Sequence, residues 1–124
     1  MSKRILIVED QEDLRAILRD LLTSTGFKVV EAADGGDGVA KAKSEQPDLV
    51  LMDIQLPVLD GYEAIRQIKA DAATAKTPVI AVSSFAMKGD EEKARAAGCN
   101  AYVTKPYSPM KLLALVRTFL EPRP

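Results

Sequence analysis

The chain has 124 residues, the length of one ordinary domain, and its 47% hydrophobic and 28% charged residues are typical of a globular protein. Seventeen lysines and arginines nearly balance eighteen aspartates and glutamates, and the resulting net charge of −1 argues against nucleic acid as a direct partner. The chain has no histidine and a single cysteine, Cys99, so it cannot form an internal disulfide, a Ser-His-Asp triad, a Cys-His dyad or a structural zinc site.

The amino-terminal residues and the hydropathy of the chain bear on its location. No apolar run approaches the length that spans a membrane, and Met1-Ser2-Lys3-Arg4 leads into only a short hydrophobic stretch, which is not a signal peptide. A single cysteine suits a reducing compartment. We therefore expect one cytoplasmic domain over residues 1–124, with no membrane insertion and no attached output domain.

The first two elements show the pattern that the rest of the chain repeats. Ile5–Val8 is a continuous, β-branched apolar run, which predicts a strand buried on both faces. The next apolar residues recur at helical spacing and predict a helix that ends near Gly26. Its predicted apolar face consists of Leu14, Ile17, Leu18, Leu21 and Leu22.

The remaining segments continue the alternation of strand and helix. Lys28–Ala32 is less apolar than the first strand, so we expect it at an edge of the sheet. The later segments predict, in order, a helix over Gly35–Glu45, a strand over Leu49–Met52, a helix over Gly61–Ala70, a strand over Val79–Val82, a helix over Asp90–Ala97, a strand over Ala101–Thr104 and a helix over Pro109–Leu120. Five such alternations predict an α/β fold in which helices cover both faces of a parallel sheet. Alternation alone leaves the strand order open.

Polar side chains follow four of the five predicted strands at the point where each strand ends. These residues are Glu9 and Asp10, Asp53, Ser83 and Ser84, and Lys105. A single acid after a strand is usually a helix cap or a solvated turn. In open parallel sheets, however, ligands bind beyond the carboxyl ends of the strands, so the four groups together predict one site.

The chemistry of this cluster is that of phosphoryl transfer. Three neighbouring carboxylates repel one another unless a hard divalent cation lies among them, and Mg²⁺ favours such an oxygen-rich site. A lysine and a serine hydroxyl can bind phosphoryl oxygens, and a carboxylate can itself be the nucleophile that forms an aspartyl phosphate.

Four motifs carry a resemblance to a known family. The segments Ile7–Asp10, Leu51–Pro57, Asp60-Gly61 and Tyr102–Pro106 resemble the receiver domain of two-component response regulators, in the same order and over nearly the whole chain from Lys3 to Leu120. The resemblance implies a doubly wound, flavodoxin-like sheet of five parallel strands in the order 2-1-3-4-5 with five helices.

The resemblance also implies a role for each site residue. Asp53 matches the phospho-acceptor, Asp10 a direct Mg²⁺ ligand, and Glu9 an acid that holds metal-bound water. Asp53 and the backbone carbonyl of Gln55 are the further metal ligands. Lys105 matches the phosphoryl-binding lysine.

Two positions match the residues that respond to phosphorylation. Ser83 matches the switch hydroxyl and Tyr102 the switch aromatic. Gln55 and Phe85 are expected to flank the path of the water that hydrolyses the phosphate, and the apolar ring of Phe85 predicts slow hydrolysis.

The implied function is a phosphorylation-dependent signalling switch, not a turnover enzyme on free substrates. The phosphoryl group would come from a sensor histidine kinase or a histidine phosphotransfer protein, because the chain has no histidine. The signal would leave by contact with a downstream protein or by onward phosphotransfer. Asn100 and Ala101 stand where an acid supports a family dimer, so we expect a monomer or a weak homodimer.

Three alternatives use the same fold class. A haloacid-dehalogenase-like phosphatase needs a second aspartate where this chain has Gln55, and it needs a cap domain. A flavodoxin-like FMN carrier needs a phosphate-binding loop after the first strand, where residues 9–13 are mostly acidic. A degenerate receiver that serves only as a scaffold would not need the intact acidic cluster.

Overall fold

The computed structural model describes residues 3–84 and 88–120. Strands and helices alternate along the chain, and every predicted element is present. They are β1 (Arg4–Val8), α1 (Glu12–Ser24), β2 (Lys28–Ala32), α2 (Gly35–Glu45), β3 (Leu49–Asp53), α3 (Gly61–Ala70), β4 (Val79–Ser83), α4 (Lys88–Ala97), β5 (Ala101–Thr104) and α5 (Pro109–Leu120).

The five strands form one parallel sheet in the order β2-β1-β3-β4-β5. This arrangement confirms the predicted α/β class and the strand order that the family resemblance implied. The less apolar strand β2 lies at an edge, as expected, and the continuous apolar strands lie inside the sheet. The carboxyl ends of β1, β3, β4 and β5 are therefore neighbours.

Successive residues of the central strands point to opposite faces of the sheet and fill two separate cores. On one face, Leu6, Val50 and Met52 pack against the apolar residues of α2, α3 and α4. On the other face, Ile5, Ile7 and Leu51 pack against α1 and α5. Two buried layers explain why the central strands are apolar at every position and not at alternate ones.

Two glycines allow the chain to turn where a side chain would not fit. Gly26 has a φ of 98° just after α1, which is the left-handed conformation that ends many helices. At Gly61, a Cβ atom would lie 2.4 Å from the Asp53 carbonyl oxygen. The absence of a side chain at Gly61 lets α3 begin directly beside the end of β3.

One prediction for α1 is wrong. Leu18 and Leu22 are buried and Leu14 and Leu21 are half-buried, but Ile17 is 59% exposed. Leu18 and Leu22 make the centre of the buried face, and around the helix Ile17 lies about 100° from Leu18 and about 140° from Leu22. There it borders an open groove and contributes nothing to the core.

Three further expectations, on membrane spans, Cys99 and Phe85, can be compared with the structure. Within residues 3–84 and 88–120, no helix has the length and apolar character needed to cross a membrane. Cys99 is a buried free thiol, as expected of the single cysteine in the chain. Phe85 lies outside the described residues, so the expectation for hydrolysis stays a prediction.

Candidate functional site

The three acids of the predicted site lie together at the carboxyl end of the sheet. Glu9 follows β1 and Asp53 ends β3, and the two residues are 3% and 4% exposed, whereas Asp10 is open to solvent. One carboxylate oxygen from each of the three residues lies within 4.8 Å of the others. Because β1 and β3 are neighbouring parallel strands, these residues lie close together, as the sequence predicted.

Lys105 joins the two buried acids. Its Nζ atom donates hydrogen bonds to Glu9 Oε1 at 3.0 Å and to Asp53 Oδ2 at 3.1 Å. The Lys105 backbone N–H donates to the Ser83 carbonyl at 2.7 Å, which anchors the residue beside the end of β4. From that anchor, the long side chain reaches past β4 to the ends of β3 and β1.

The electrostatics of these groups follow from burial and from an excess of negative charge. Burial is the largest factor that raises the pKa of Glu9, and the adjacent Asp53 carboxylate raises it further, which together outweigh the opposing effect of Lys105. For Lys105, burial lowers the pKa, but the hydrogen bond with Glu9 and the charge of Asp53 outweigh it, so its pKa is raised. Lys105 therefore stays charged between two acids that it cannot neutralise completely.

Gln55 connects Asp53, at the end of β3, with Ser84, just after β4. Its backbone N–H donates to Asp53 Oδ1 at 3.0 Å. Its side-chain Oε1 accepts a hydrogen bond from the Ser84 backbone N–H, also at 3.0 Å. Both Asp53 oxygens are thus held, one by Gln55 and the other by Lys105, which fixes the direction of the carboxylate.

The two predicted switch residues lie on the neighbouring strands. Ser83 is the last residue of β4, is fully buried, and pairs in register with Thr104 of β5. Tyr102 lies two residues earlier on β5, is half-buried, and packs against the core on the side of α3 and α4. The structure thus places both residues close to the carboxyl ends where the acids lie.

Arg15 is a residue of this region that the sequence did not single out. It lies in α1, and its Nη1 atom donates to the backbone carbonyl of Glu9 at 2.8 Å. An arginine on the polar side of an amphipathic helix usually faces solvent, so no local pattern distinguishes it. Its contact depends on how α1 packs beside β1 and β2.

The donor set fits a hard divalent cation. Glu9, Asp10 and Asp53 offer only oxygen ligands, which are the ligands that Mg²⁺ prefers. With all three acids ionised and Lys105 protonated, the cluster carries a net charge of −2. A divalent ion would neutralise that charge, and the open position of Asp10 leaves room for solvent.

Comparison with known proteins agrees with this arrangement. A family model described as the response regulator receiver domain matches residues 5–117. The polar-differentiation response regulator DivK of Brucella ovis is 41% identical over 120 residues, which cover 97% of this chain and 98% of DivK. DivK of Brucella anthropi matches over the same length at the same identity.

Solved structures share the whole fold. The receiver domain of the sensor histidine kinase PA1611 from Pseudomonas aeruginosa, solved with a magnesium ion in its active-site cleft, has a TM-score of 0.89 and 36% identity, and the match covers 96% of this chain and 98% of that one. Chemotaxis protein CheY4 of Vibrio cholerae has a TM-score of 0.91 and 25% identity, with 97% and 100% coverage. From the family match and the near-complete relatives, the chain belongs to the response regulator receiver domain family and is a signalling switch of a two-component system.

Proposed function

We propose that Asp53 accepts a phosphoryl group from a phosphohistidine on a partner protein, a sensor histidine kinase or a histidine phosphotransfer protein. The observation that carries this proposal is the fixed Asp53 carboxylate, with Lys105 on one oxygen and the Gln55 N–H on the other. Asp53 is the last residue of the buried strand β3, and it lies among acids that are suited to bind a metal ion. The chain itself contains no histidine that could be the donor.

Mg²⁺ is the cofactor that we assign to this site. Asp10, Asp53 and the backbone carbonyl of Gln55 would bind it directly, and Glu9 would hold a metal-bound water. The magnesium ion in the cleft of the related PA1611 receiver domain supports this assignment. When bound, the ion neutralises charge on the acids and on the entering phosphoryl group.

The transfer itself needs little from the protein beyond position and charge. An Asp53 oxygen attacks phosphorus, the new O–P bond forms, and the P–N bond to the donor imidazole breaks, with its electron pair going to the imidazole nitrogen. Lys105 lies within reach of Asp53 and would hold a phosphoryl oxygen, as would the Ser83 hydroxyl. Movement of Ser83 toward the phosphate would leave space for Tyr102 to turn inward, which shifts an existing two-state equilibrium.

This chain has a groove beside Asp53 to which the donor protein could bind. An open groove of about 390 Å³, lined mainly by apolar side chains, lies between α1 and the segment after β5. Its walls include Leu14, Ile17 and Tyr107, and Lys105 and Ser84 border it as well. A donor protein that buries the exposed Ile17 would thus bring its phosphohistidine toward Asp53.

The rival functions fit the site less well. A phosphatase of the haloacid-dehalogenase type needs a proton-transferring aspartate where Gln55 stands, and an amide cannot transfer that proton. The Gln55 side chain is also hydrogen-bonded to Ser84. An FMN phosphate after β1 would face Glu9 and Asp10. We therefore propose a phosphorylated switch in the cytoplasm, without turnover of free substrates, that acts on a downstream protein as a monomer or weak homodimer.

The test uses two phosphodonors. With Mg²⁺ and acetyl phosphate, the native chain should gain acid-labile phosphate and Asp53→Asn should gain none. Ile17→Ser should be phosphorylated normally by acetyl phosphate but more slowly by a phosphorylated histidine kinase. Persistent labelling of Asp53→Asn would contradict the assignment of the acceptor, and equal kinase rates for Ile17→Ser would contradict the docking surface.

A further inference from the structure

Arg15 links α1 to the end of β1 through a backbone contact. Its side chain is 18% exposed, and its Nη1 atom donates to the Glu9 carbonyl at 2.8 Å while its Nε atom donates to Glu31 Oε1 at 3.2 Å. Glu31 belongs to β2, and its own backbone carbonyl accepts a hydrogen bond from Lys41. The guanidinium is therefore oriented by one fixed partner while it binds another.

The Glu9 carbonyl determines where the next residue begins. A peptide group is planar, so the direction of the Glu9 carbonyl fixes the plane that leads to the Cα atom of Asp10. The other polar atoms of Glu9 are also held, since its N–H donates to Ala32 and its carboxylate accepts from Lys105 and from the Gln11 N–H. Arg15 supplies the remaining contact.

Asp10 depends on this backbone more than the other two acids do. Asp53 and Glu9 are buried and their carboxylates are hydrogen-bonded to Lys105. The Asp10 side chain is exposed, and among residues 3–84 and 88–120 its carboxylate accepts no hydrogen bond. Its place near the other two acids therefore follows from the direction of the chain at Glu9.

We propose that Arg15 is a positioning residue for the metal site: by holding the Glu9 carbonyl, it directs Asp10 toward the cation. This inference rests on the proposed function, in which Asp10 is a direct Mg²⁺ ligand. Arg15 does not touch the cation or the phosphoryl group. Groups that orient metal ligands in this way commonly contribute a factor of about 10–100 to metal affinity.

Charge and position make opposite predictions for this arginine, which makes the proposal testable. Arg15→Met removes a positive charge near a cation site, so a purely electrostatic role predicts tighter binding of Mg²⁺. Loss of the hydrogen bond to Glu9 predicts weaker binding. We expect Arg15→Met to lower the Mg²⁺ affinity about tenfold in calorimetric titrations of the folded protein.

Arg19 provides a matched control. It also pairs with Glu31, at 3.5 Å, but within residues 3–84 and 88–120 it contacts only the side chains of Glu31 and Asp20 and no backbone carbonyl. Arg19→Met removes the same charge from the same neighbourhood and should leave the Mg²⁺ affinity unchanged or slightly raised. If Arg15→Met bound Mg²⁺ as tightly as Arg19→Met, the positioning role would be overturned.

Two further variants separate this inference from the proposed function. Asp10→Asn should lose most of its Mg²⁺ affinity, and wild-type affinity in that variant would overturn the metal site and the role of Arg15 with it. Arg15→Lys keeps the charge but cannot bind Glu9 and Glu31 with a planar fork, so it should also bind Mg²⁺ more weakly. Strong effects of Asp10→Asn beside wild-type affinity in Arg15→Lys and Arg15→Met would refute the role of Arg15 alone.

Discussion

The polar groups at the two ends of the sheet differ in how completely they are paired. At the amino end, neighbouring strands exchange reciprocal hydrogen bonds. The Arg4 N–H donates to the Asp48 carboxylate, and the Asp48 N–H donates to the Arg4 carbonyl. In the same way, the Val79 N–H donates to Asn100 Oδ1, and the Asn100 N–H donates to the Val79 carbonyl. Each of these groups has its partner within the chain.

At the carboxyl end, the groups do not balance one another. Glu9 and Asp53 are buried and share a single lysine, Lys105, while Asp10 adds a third carboxylate close by. A fold selected for stability alone would not bury two acids with one base, because an uncompensated buried charge is costly. The polar groups at the amino end therefore stabilise the fold, whereas those at the carboxyl end keep an uncompensated negative charge that can bind a cation.

The largest effect is expected when Lys105, the base that contacts both buried acids, is removed. Lys105→Met leaves Glu9 and Asp53 without their counter-ion and should lower the free energy of unfolding in metal-free buffer by about 3–5 kcal/mol. Denaturant unfolding measures this loss, and saturating Mg²⁺ should recover part of it. Arg95→Met is the control, since its exposed pair with Glu91 is worth about 0.5 kcal/mol or less. Equal losses for the two variants would contradict the account of the carboxyl end.

A smaller loss is expected at the amino end. Asn100→Ala leaves the buried Val79 N–H without its acceptor, which should lower the free energy of unfolding by about 1–3 kcal/mol. The Mg²⁺ affinity and the rate of phosphorylation by acetyl phosphate should not change, because Asn100 lies at the opposite end of the sheet. A change in either quantity would show that the two ends are not independent.

Neutralising a buried acid should have the opposite sign. The pKa of Glu9 is raised in the folded protein above its ordinary 4.5, so the folded state binds the proton more tightly than the unfolded chain. Stability therefore falls as the pH rises from about 4.5 through the raised pKa, and the loss persists above it. Without Mg²⁺ at neutral pH, Glu9→Gln should be more stable than the native chain, by on the order of 1 kcal/mol.

Comparison across pH sharpens this prediction. The stabilities of Glu9→Gln and the native chain should converge as the pH falls toward 4.5, where Glu9 is protonated in the folded protein. Thermal unfolding at several pH values measures the difference. A native chain that is the more stable one at neutral pH would mean that the bond with Lys105 outweighs the cost of burial.

The smallest effect is expected in the loop after Asp53. Val58 has a φ of 70° in a γ-turn closed by a hydrogen bond from the Leu59 N–H to the Pro57 carbonyl, and the residue is 87% exposed. A β-branched residue in the left-handed region is strained, and glycine is not. Val58→Gly should raise the free energy of unfolding by about 0.5–1 kcal/mol, after the entropy cost of glycine.

An alanine variant tests whether backbone strain is the cause. Val58→Ala removes the exposed apolar side chain but keeps a Cβ atom at positive φ, so it should gain less stability than Val58→Gly. Similar gains in the two variants would assign the effect to the exposed side chain instead of the backbone.

The sequence by itself determined the elements and the chemistry of the site. Strands and helices depend on the spacing of apolar residues within a segment, so local pattern was enough to predict all ten. The acids at the ends of β1 and β3 and the lysine after β5 could also be recognised, because they directly follow predicted strands in the sequence. The strand order was not visible in this way and came from the family resemblance, which the sheet confirms.

Only the tertiary structure decided which of these groups meet and which face solvent. Ile17 has the spacing of a buried residue, yet α1 covers the sheet with Leu18 and Leu22 and leaves Ile17 at the border of a groove. Arg15 has the pattern of a solvated residue, yet it reaches the Glu9 carbonyl. Both outcomes depend on how a helix sits against strands that are distant in sequence, and spacing within one segment carries no information about that packing.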